Sequence, residues 1–468
     1  MKITFLGAAK NVTGSKHLVE TNNFRLLLDC GFYQGRRRDA NQQNETLPFD
    51  AKTISAVILT HAHLDHCGSL PTLIKNGFAG KIHCTPPTAE IARLILLDSA
   101  NIQKFDCEYF NSHLPPGEKP IKPIYDQYDV EKTARQFETG RYFSMAGDWI
   151  VLDKNIRFKF YDAGHILGSA SILLEIKENG LVKNLAFSGD LGRDELPILR
   201  APETIVEKTP VLLMECTYGN RLHEPMARVA AKIQDIVIRA KKNKSKIIVP
   251  AFSLGRTQEL IYILHRLSQQ KLIPLLPIYI DSPLGDAITK IFPRHTDYFD
   301  QEFWRDFGNR DISAFTFNGL KYIRSVAESK SLNLKNSPFI VIAGSGMAEG
   351  GRILHHLKNN LGNVNNIVLI TGFQAQGTLG RKLLEGISPI KIFGKNYDAR
   401  AKVATLNELS AHADQSGLLD YARNIKGLEK LFLVHAEPLQ AAAFQNLIQE
   451  KLPRLSVVIP NFGQSVEL

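Results

Sequence analysis

From Thr60 to Gly68 the chain reads Thr-His-Ala-His-Leu-Asp-His-Cys-Gly, which places three imidazoles and a carboxylate (His61, His63, Asp65, His66) on one short stretch. Nitrogen and oxygen donors of this kind are the ones zinc prefers. A histidine-rich polar surface loop would have the same composition, but four donors packed so tightly are hard to explain without a cation. His61 and His63 alternate, so on extended backbone both point to one side. Asp65 and His66 come after the chain turns and point elsewhere, so one segment can feed two neighbouring metals. Two metals about 3.5–4 Å apart are the usual device for activating water against a phosphodiester or acyl centre. Each needs further ligands from the rest of the chain.

Other donors sit at turns that follow apolar runs. Asp29 ends the run 24–29 and could be a ligand, a turn former or a carboxylate that orients a histidine, the last being preferred. His165 lies in Gly164-His165-Ile166-Leu167-Gly168, although a lone histidine at such a turn is more often no ligand at all. Asp190, in Ser188-Gly189-Asp190-Leu191-Gly192-Arg193, could bridge two cations with its two oxygens. His412 and His435 each follow a strand-like run, in Ser410-Ala411-His412-Ala413-Asp414 and Val434-His435-Ala436-Glu437.

The elements that carry these residues are legible as patterns. Residues 56–59 are a short apolar, β-branched run that predicts a buried strand. Residues 64–75 have apolar positions at helical spacing and stop at Asn76-Gly77, predicting one helix. The histidine cluster therefore lies on a strand-to-helix turn, where α/β sheets place ligands. From about Thr209 the pattern becomes alternating strands (211–215, 247–251, 277–281, 339–343, 367–371) and helices (228–239, 257–267, 352–360), predicting a parallel α/β unit. Several of its strands end in Gly- or Ser-rich turns, such as Phe252-Ser253-Leu254-Gly255-Arg256 and Gly344-Ser345-Gly346, which can hold phosphate through backbone N–H groups. Strand patterns return after about Gly386, at 390–393 and 401–406.

At 468 residues two or three domains are expected, and 44% hydrophobic with 22% charged residues is the balance of a soluble globular protein. Apolar runs such as 272–280 are short and broken by Pro274 and Pro277, so no transmembrane helix is predicted. Five cysteines without a CxxC pair point to a reducing cytoplasm rather than a disulfide framework. The net charge of +10 suggests a polyanionic partner, and Arg36-Arg37-Arg38 is a candidate phosphate contact.

In order along the chain, Asp29, His61-x-His63-x-Asp65-His66, Gly164-His165 and Ser188-Gly189-Asp190 resemble the motifs of the metallo-β-lactamase superfamily. Glu215-Cys216-Thr217-Tyr218-Gly219, Ser410-Ala411-His412-Ala413 and Val434-His435 resemble three further motifs of its β-CASP branch, which contains nucleic-acid nucleases. The resemblance implies an α/β fold: an αββα sandwich from residues 1–207 and 388–468, with a β-CASP domain, 208–387, inserted as a cap over the active-site cleft. It implies two zinc ions, with manganese as the alternative. His61, His63 and His165 would hold one, Asp65, His66 and His435 the other, and Asp190 would bridge them. It also implies a catalytic set of Asp65, Glu215 and His412, in which His412, paired with Glu215, protonates the leaving 3′ oxygen. Arg193, Arg256, Ser345 and Gly346 are the weaker expectations for substrate phosphate. Histidine rather than valine at 435 favours RNA over DNA within the family, so the expected partner is single-stranded RNA, in the cytoplasm, with no membrane and with a homodimer as one assembly to consider. The chain departs from the family's usual Val-His-Gly-Glu by carrying Ala436. Competing readings are a binuclear hydrolase of small esters or thioesters, a DNA nuclease of the same fold, and a non-catalytic RNA-binding subunit.

Overall fold

Ala56–Ile58 is buried at every position, as a strand must be when it is covered on both faces, and it pairs in parallel with Arg25–Leu28 and Lys81–Cys84. Around it, in the computed structural model, stands a sheet ordered Ser465–Glu467, Lys2–Phe5, His17–Glu20, Arg25–Leu28, Ala56–Ile58, Lys81–Cys84, Phe137–Thr139. The structure describes residues 1–34, 43–115, 117–139, 147–308 and 313–468; the Arg36–Arg38 run lies outside them. A second sheet runs Ser456–Val458, Lys430–Val434, Val211–Glu215, Leu181–Phe187, Ala170–Glu178, Ile156–Asp162, Ile150–Asp153. The two sheets share one core: Phe5, Val19, Leu28 and Ile58 from the first meet Phe158, Ile172, Phe187, Leu213 and Phe432 from the second. Each such side chain, fully buried, contributes about 1.5–3 kcal/mol.

The outer face of the second sheet is covered by helices Gln415–Asn424 and Pro438–Lys451, whose Leu418, Phe444 and Ile448 pack on Leu173, Leu212 and Leu433. Helices Leu70–Lys75, Pro86–Asn111 and Gln127–Ala134 pack on one another on the side of the first sheet. The result is an αββα sandwich. It forms one compact unit, Met1–Asp194, Ala201–Leu222 and His412–Leu468.

The other unit comprises Glu195–Arg200 and His223–Ala411. Its sheet is parallel throughout, ordered Leu320–Tyr322, Ile278–Ile280, Ile340–Ala343, Ile247–Pro250, Ile367–Ile370, Lys402–Thr405. Its central strands, Ile-Ile-Val-Pro, Ile-Val-Ile-Ala and Ile-Val-Leu-Ile, are buried along their whole length, as strands between two helical layers must be.

Three expectations change. Val211–Glu215 belongs to the sandwich, in register with Leu181–Phe187 and Lys430–Val434, not to the parallel unit. Lys402–Thr405 is the edge of the parallel sheet, paired with Ile367–Ile370. The two compact units meet in sequence at 222/223 and 411/412, with 195–200 also in the second. A short apolar run has the same composition in either sheet, so the sequence could not tell which partner it would take. The single helix expected over 64–75 is two, Leu64–Cys67 and Leu70–Lys75. Pro71 opens the second, and the Ser69 amide is drawn off to the Cys30 carbonyl at 2.8 Å. Among the described residues no helix is long and apolar enough to cross a membrane.

Candidate metal centre

Asp29, His61, His63, His165, Asp190 and His435 sit on loops that leave strands, and Asp65 and His66 lie in the helix Leu64–Cys67 that follows one. After Ala56–Ile58 the backbone stays extended to His63, which caps the helix Leu64–Cys67. His61 and His63 therefore face one way, with Nε2 of the first 3.1 Å from Nδ1 of the second. The 164–169 loop is fixed by the Asp162 carboxylate, which accepts from the Gly164 amide at 3.0 Å, and by Ser169 Oγ, which accepts from the His165 amide at 3.0 Å. It brings His165 Nε2 to 3.2 Å from His63 Nδ1. Asp190 leaves the strand Leu181–Phe187, and His435 leaves Lys430–Val434 in the left-handed region (φ 50°), its amide donating to the Ala8 carbonyl at 2.7 Å.

Two groups result. Ligand atoms of His61, His63, His165 and Asp190 lie within 4.8 Å of one another, and so do those of Asp65, His66 and His435. Nitrogens about 2.0–2.1 Å from a tetrahedral zinc stand roughly 3.4 Å apart. The separations of 3.1 and 3.2 Å between imidazoles, and 3.4 Å from His61 Nε2 to Asp190 Oδ2, are close to that edge. Asp190 faces both groups: Oδ2 lies 3.4 Å from His61 Nε2 and 3.7 Å from His165 Nε2, while Oδ1 lies 3.3 Å from His66 Nε2 and 3.7 Å from His435 Nδ1. His66 Nε2, Asp190 Oδ1 and His435 Nε2 are buried and make no hydrogen bond. Such atoms cost about 1–3 kcal/mol each if left unsatisfied. Convergent, unsatisfied nitrogen and carboxylate atoms fit a pair of cations.

The protonation states of the first group agree; in the second, burial would lower His66, but Asp190 and Asp29 outweigh it and hold the imidazole well above its ordinary value. Burial, reinforced by the charge of His66, holds His61 down at about 3; burial likewise holds His63 at about 4 and His165 well below its ordinary value. Neutral imidazole is the form that binds metal. Burial alone would raise Asp190, but His435, His66 and His61 together hold its carboxyl far below the usual range.

A further layer aims the donors. Asp29, itself at φ 59°, accepts from the Thr60 amide at 2.8 Å and lies 2.7 Å from His66 Nδ1 through its other oxygen. Thr60 Oγ1 is 3.0 Å from Asp29 and 3.0 Å from His61 Nδ1. Thr217 Oγ1 stands 3.1 Å from His435 Nδ1, and Ser15 Oγ donates to Asp29 at 3.3 Å. Sequence reading missed Thr60, Thr217 and Ser15 as positioning groups, although Thr60 adjoins His61 and Thr217 lies two residues after Glu215. It also missed Lys16, buried beside the site with its ammonium donating to the Gly31 carbonyl.

Beside the first group, His412 Nδ1 lies 3.0 Å from Glu215 Oε1. Glu215 is fully buried and accepts from the amides of Leu191 (2.7 Å) and Thr217 (3.2 Å). Burial disfavours charge on His412, but Glu215 and then Asp190 outweigh it and push the imidazole up to about 10. Arg193 is half-buried, three residues beyond Asp190. Arg256, Ser345 and Gly346 belong to the other unit. The buried Arg256 guanidinium is bonded to Glu259 at 2.6 Å, one helical turn on. The Ser345 hydroxyl oxygen accepts from the amides of Glu349 (3.0 Å) and Gly350 (3.2 Å), which leaves its hydrogen to donate.

This arrangement has relatives. Residues 13–139 match the metallo-beta-lactamase superfamily, 257–383 the Beta-Casp domain, and 396–460 the Zn-dependent metallo-hydrolase RNA specificity domain. The chain is 33% identical over 466 residues to Ribonuclease TTHA0252 of Thermus thermophilus, covering 100% of both chains. It is 32% identical to an RNase J-like protein of Methanocaldococcus jannaschii, covering 98% of both. It is 28% identical to the Transcription termination factor FttA of the same organism, covering 98% of this chain and 71% of that one. Among solved structures, a protein of unknown function from Enterococcus faecalis V583 shares the fold, with a TM-score of 0.53 and 13% identity over 100% of this chain and 99% of that one. The chain belongs to the metallo-beta-lactamase superfamily. Within it, the chain falls in the Beta-Casp branch.

Proposed function

We propose that this protein is a metal-dependent ribonuclease that hydrolyses phosphodiester bonds of single-stranded RNA at the centre formed by His61, His63, Asp65, His66, His165, Asp190 and His435. The observation that carries the reading is Asp190, whose two oxygens are divided between two donor groups, with the Glu215–His412 pair alongside. The names of its relatives, two of them ribonucleases, support RNA as the substrate. The five unpaired cysteines suit a reducing cytoplasm.

Zinc, or manganese in its place, would be held by His61, His63 and His165 in one position and by Asp65, His66 and His435 in the other, with Asp190 shared. Bound there, two cations supply Lewis acidity for the scissile phosphate and make water acidic enough to attack at neutral pH. Asp65 orients the attacking water, which gives up one proton to solvent as its oxygen forms the new bond to phosphorus. The bond from phosphorus to the 3′ oxygen breaks, and His412 Nε2 gives that oxygen its proton. Glu215, through Nδ1, fixes the tautomer and orientation that present this proton. The Ser345 hydroxyl, the Gly346 turn and Arg193 are assigned to the RNA backbone.

The test is a 5′-labelled single-stranded RNA with the metal-loaded wild type and His412→Ala, alongside elemental analysis of both. The expected result is cleavage by the wild type and an unchanged metal content in the variant, with a rate lower by about 10²–10⁴-fold. Metal bound without RNA cleavage, together with turnover of aryl esters or thioesters, would overturn the reading in favour of a small-ester hydrolase. Preferential cleavage of single-stranded DNA would make it a DNA nuclease.

A further inference from the structure

Three neighbouring parallel strands of the second unit, Ile340–Ala343, Ile247–Pro250 and Ile367–Ile370, open at their carboxyl ends onto the Ser345–Gly346 turn, Phe252 and Phe373 respectively. This end of an open α/β sheet is where ligands bind. Phe252 and Phe373 are 47% and 50% exposed, a poor use of two large apolar rings unless something covers them.

Phe252 is held rigidly. Its carbonyl accepts from Thr257 Oγ1 at 2.7 Å and from the Thr257 amide at 3.3 Å. A Cβ placed on Gly346 would fall 2.6 Å from Phe252 Cδ2, 2.7 Å from Cε2 and 2.9 Å from Cγ. Near-equal distances to three consecutive ring atoms arise only above the ring plane, because an approach from the edge would put the two outer atoms well beyond the middle one. The Gly346 backbone therefore lies against one face of the ring, in space that no other residue could share. Gly346 is itself anchored, its carbonyl accepting from the buried Gln374 Nε2 at 3.1 Å. A ring backed on one face, open elsewhere and fixed before binding loses little side-chain entropy when a flat partner arrives.

We propose that Phe252 is a stacking platform for one unpaired nucleobase of single-stranded RNA, backed by Gly346 and adjacent to the Ser345 hydroxyl, which takes a backbone phosphate. Every base offers a π-face, so the platform adds affinity without reading sequence. It rests on the ribonuclease reading for the nature of the polymer, while the ring and its backing stand on the geometry of the second unit alone.

The experiment uses the full metal-loaded chain with His412→Ala as background, so that binding is read with turnover slowed by about 10²–10⁴-fold. Fluorescence anisotropy gives the dissociation constant for a single-stranded RNA and for a set of RNAs with one abasic site moved along the strand. Phe252→Ala should weaken binding of the intact RNA by about 5- to 100-fold, and Phe252→Trp should restore it. One abasic position should weaken binding to the Phe252 protein by a similar factor and have no further effect on Phe252→Ala. Phe393→Ala, which removes an equally exposed ring of the same unit, should leave binding unchanged. RNA bound and, with His412 restored, cut normally by Phe252→Ala would overturn the platform while leaving the ribonuclease standing. Abasic losses that are the same in Phe252→Ala as in the Phe252 protein at every position would also overturn it. Failure of the wild type to bind or cut RNA would remove both readings together.

Discussion

Asp190 and Asp29 show how two carboxylates of one kind are given different work by what surrounds them. Asp190 offers its oxygens to two donor groups, whereas Asp29 spends one on Thr60 and the other on His66, whose remaining nitrogen then points toward Asp190. Asp29→Asn keeps the shape but replaces an acceptor with an amide that cannot hold the same imidazole tautomer. Metal affinity should fall by about 10- to 100-fold, read by competition with a chromogenic chelator, while circular dichroism stays that of the wild type. Retention of wild-type affinity would show that Asp29 serves only the turn. The donors were legible because histidine is sparse and each stands at a turn after an apolar run. The hydroxyls were not: serine and threonine are common at turns, and Thr217 reaches His435 across 218 positions of sequence. Arg256 reads in sequence as part of a phosphate loop, while the partner it finds in the fold, Glu259, lies one helical turn away.

At the scale of elements, the centre depends on loops from separate strands lying in contact. Gly31 lies so close to the Asp65 carbonyl that a Cβ there would overlap it, and Gly192 lies just as close to the Gly164 carbonyl next to His165. Backbone meets backbone in both cases, so neither contact can yield by rotating a side chain. Gly192→Ala should lower stability by about 2–4 kcal/mol in denaturant melts and reduce bound metal, because the loops carrying His165 and Asp190 must separate. Unchanged stability and metal content would mean the loops can shift without loss. Strand positions could be read directly because buried runs of Ile, Val and Leu leave few alternatives. Strand partners could not: Val211–Glu215 reads as one more strand of the alternating pattern, and only its register with Lys430–Val434 puts it in the sandwich.

Over the whole molecule, 57 basic and 47 acidic residues leave a net charge of +10, which suits a polyanion but does not locate it. If the protein holds RNA through three to five phosphates, raising salt from 50 to 200 mM should weaken binding by about 20- to 100-fold. A flat salt dependence, measured by anisotropy, would exclude phosphate contacts as the source of affinity. The chain's path has one more consequence, in the order in which it is made. Residues 223–411 precede both His412 and His435 in the chain, so all of the second unit's residues are joined before these two histidines. The second sheet of the sandwich likewise waits for Lys430–Val434 and Ser456–Val458. A copy made only as far as residue 411 therefore has all of its second unit but lacks His412 and His435, and with them the full set of candidate donors. The candidate centre can close only once residues 430–458 have been made.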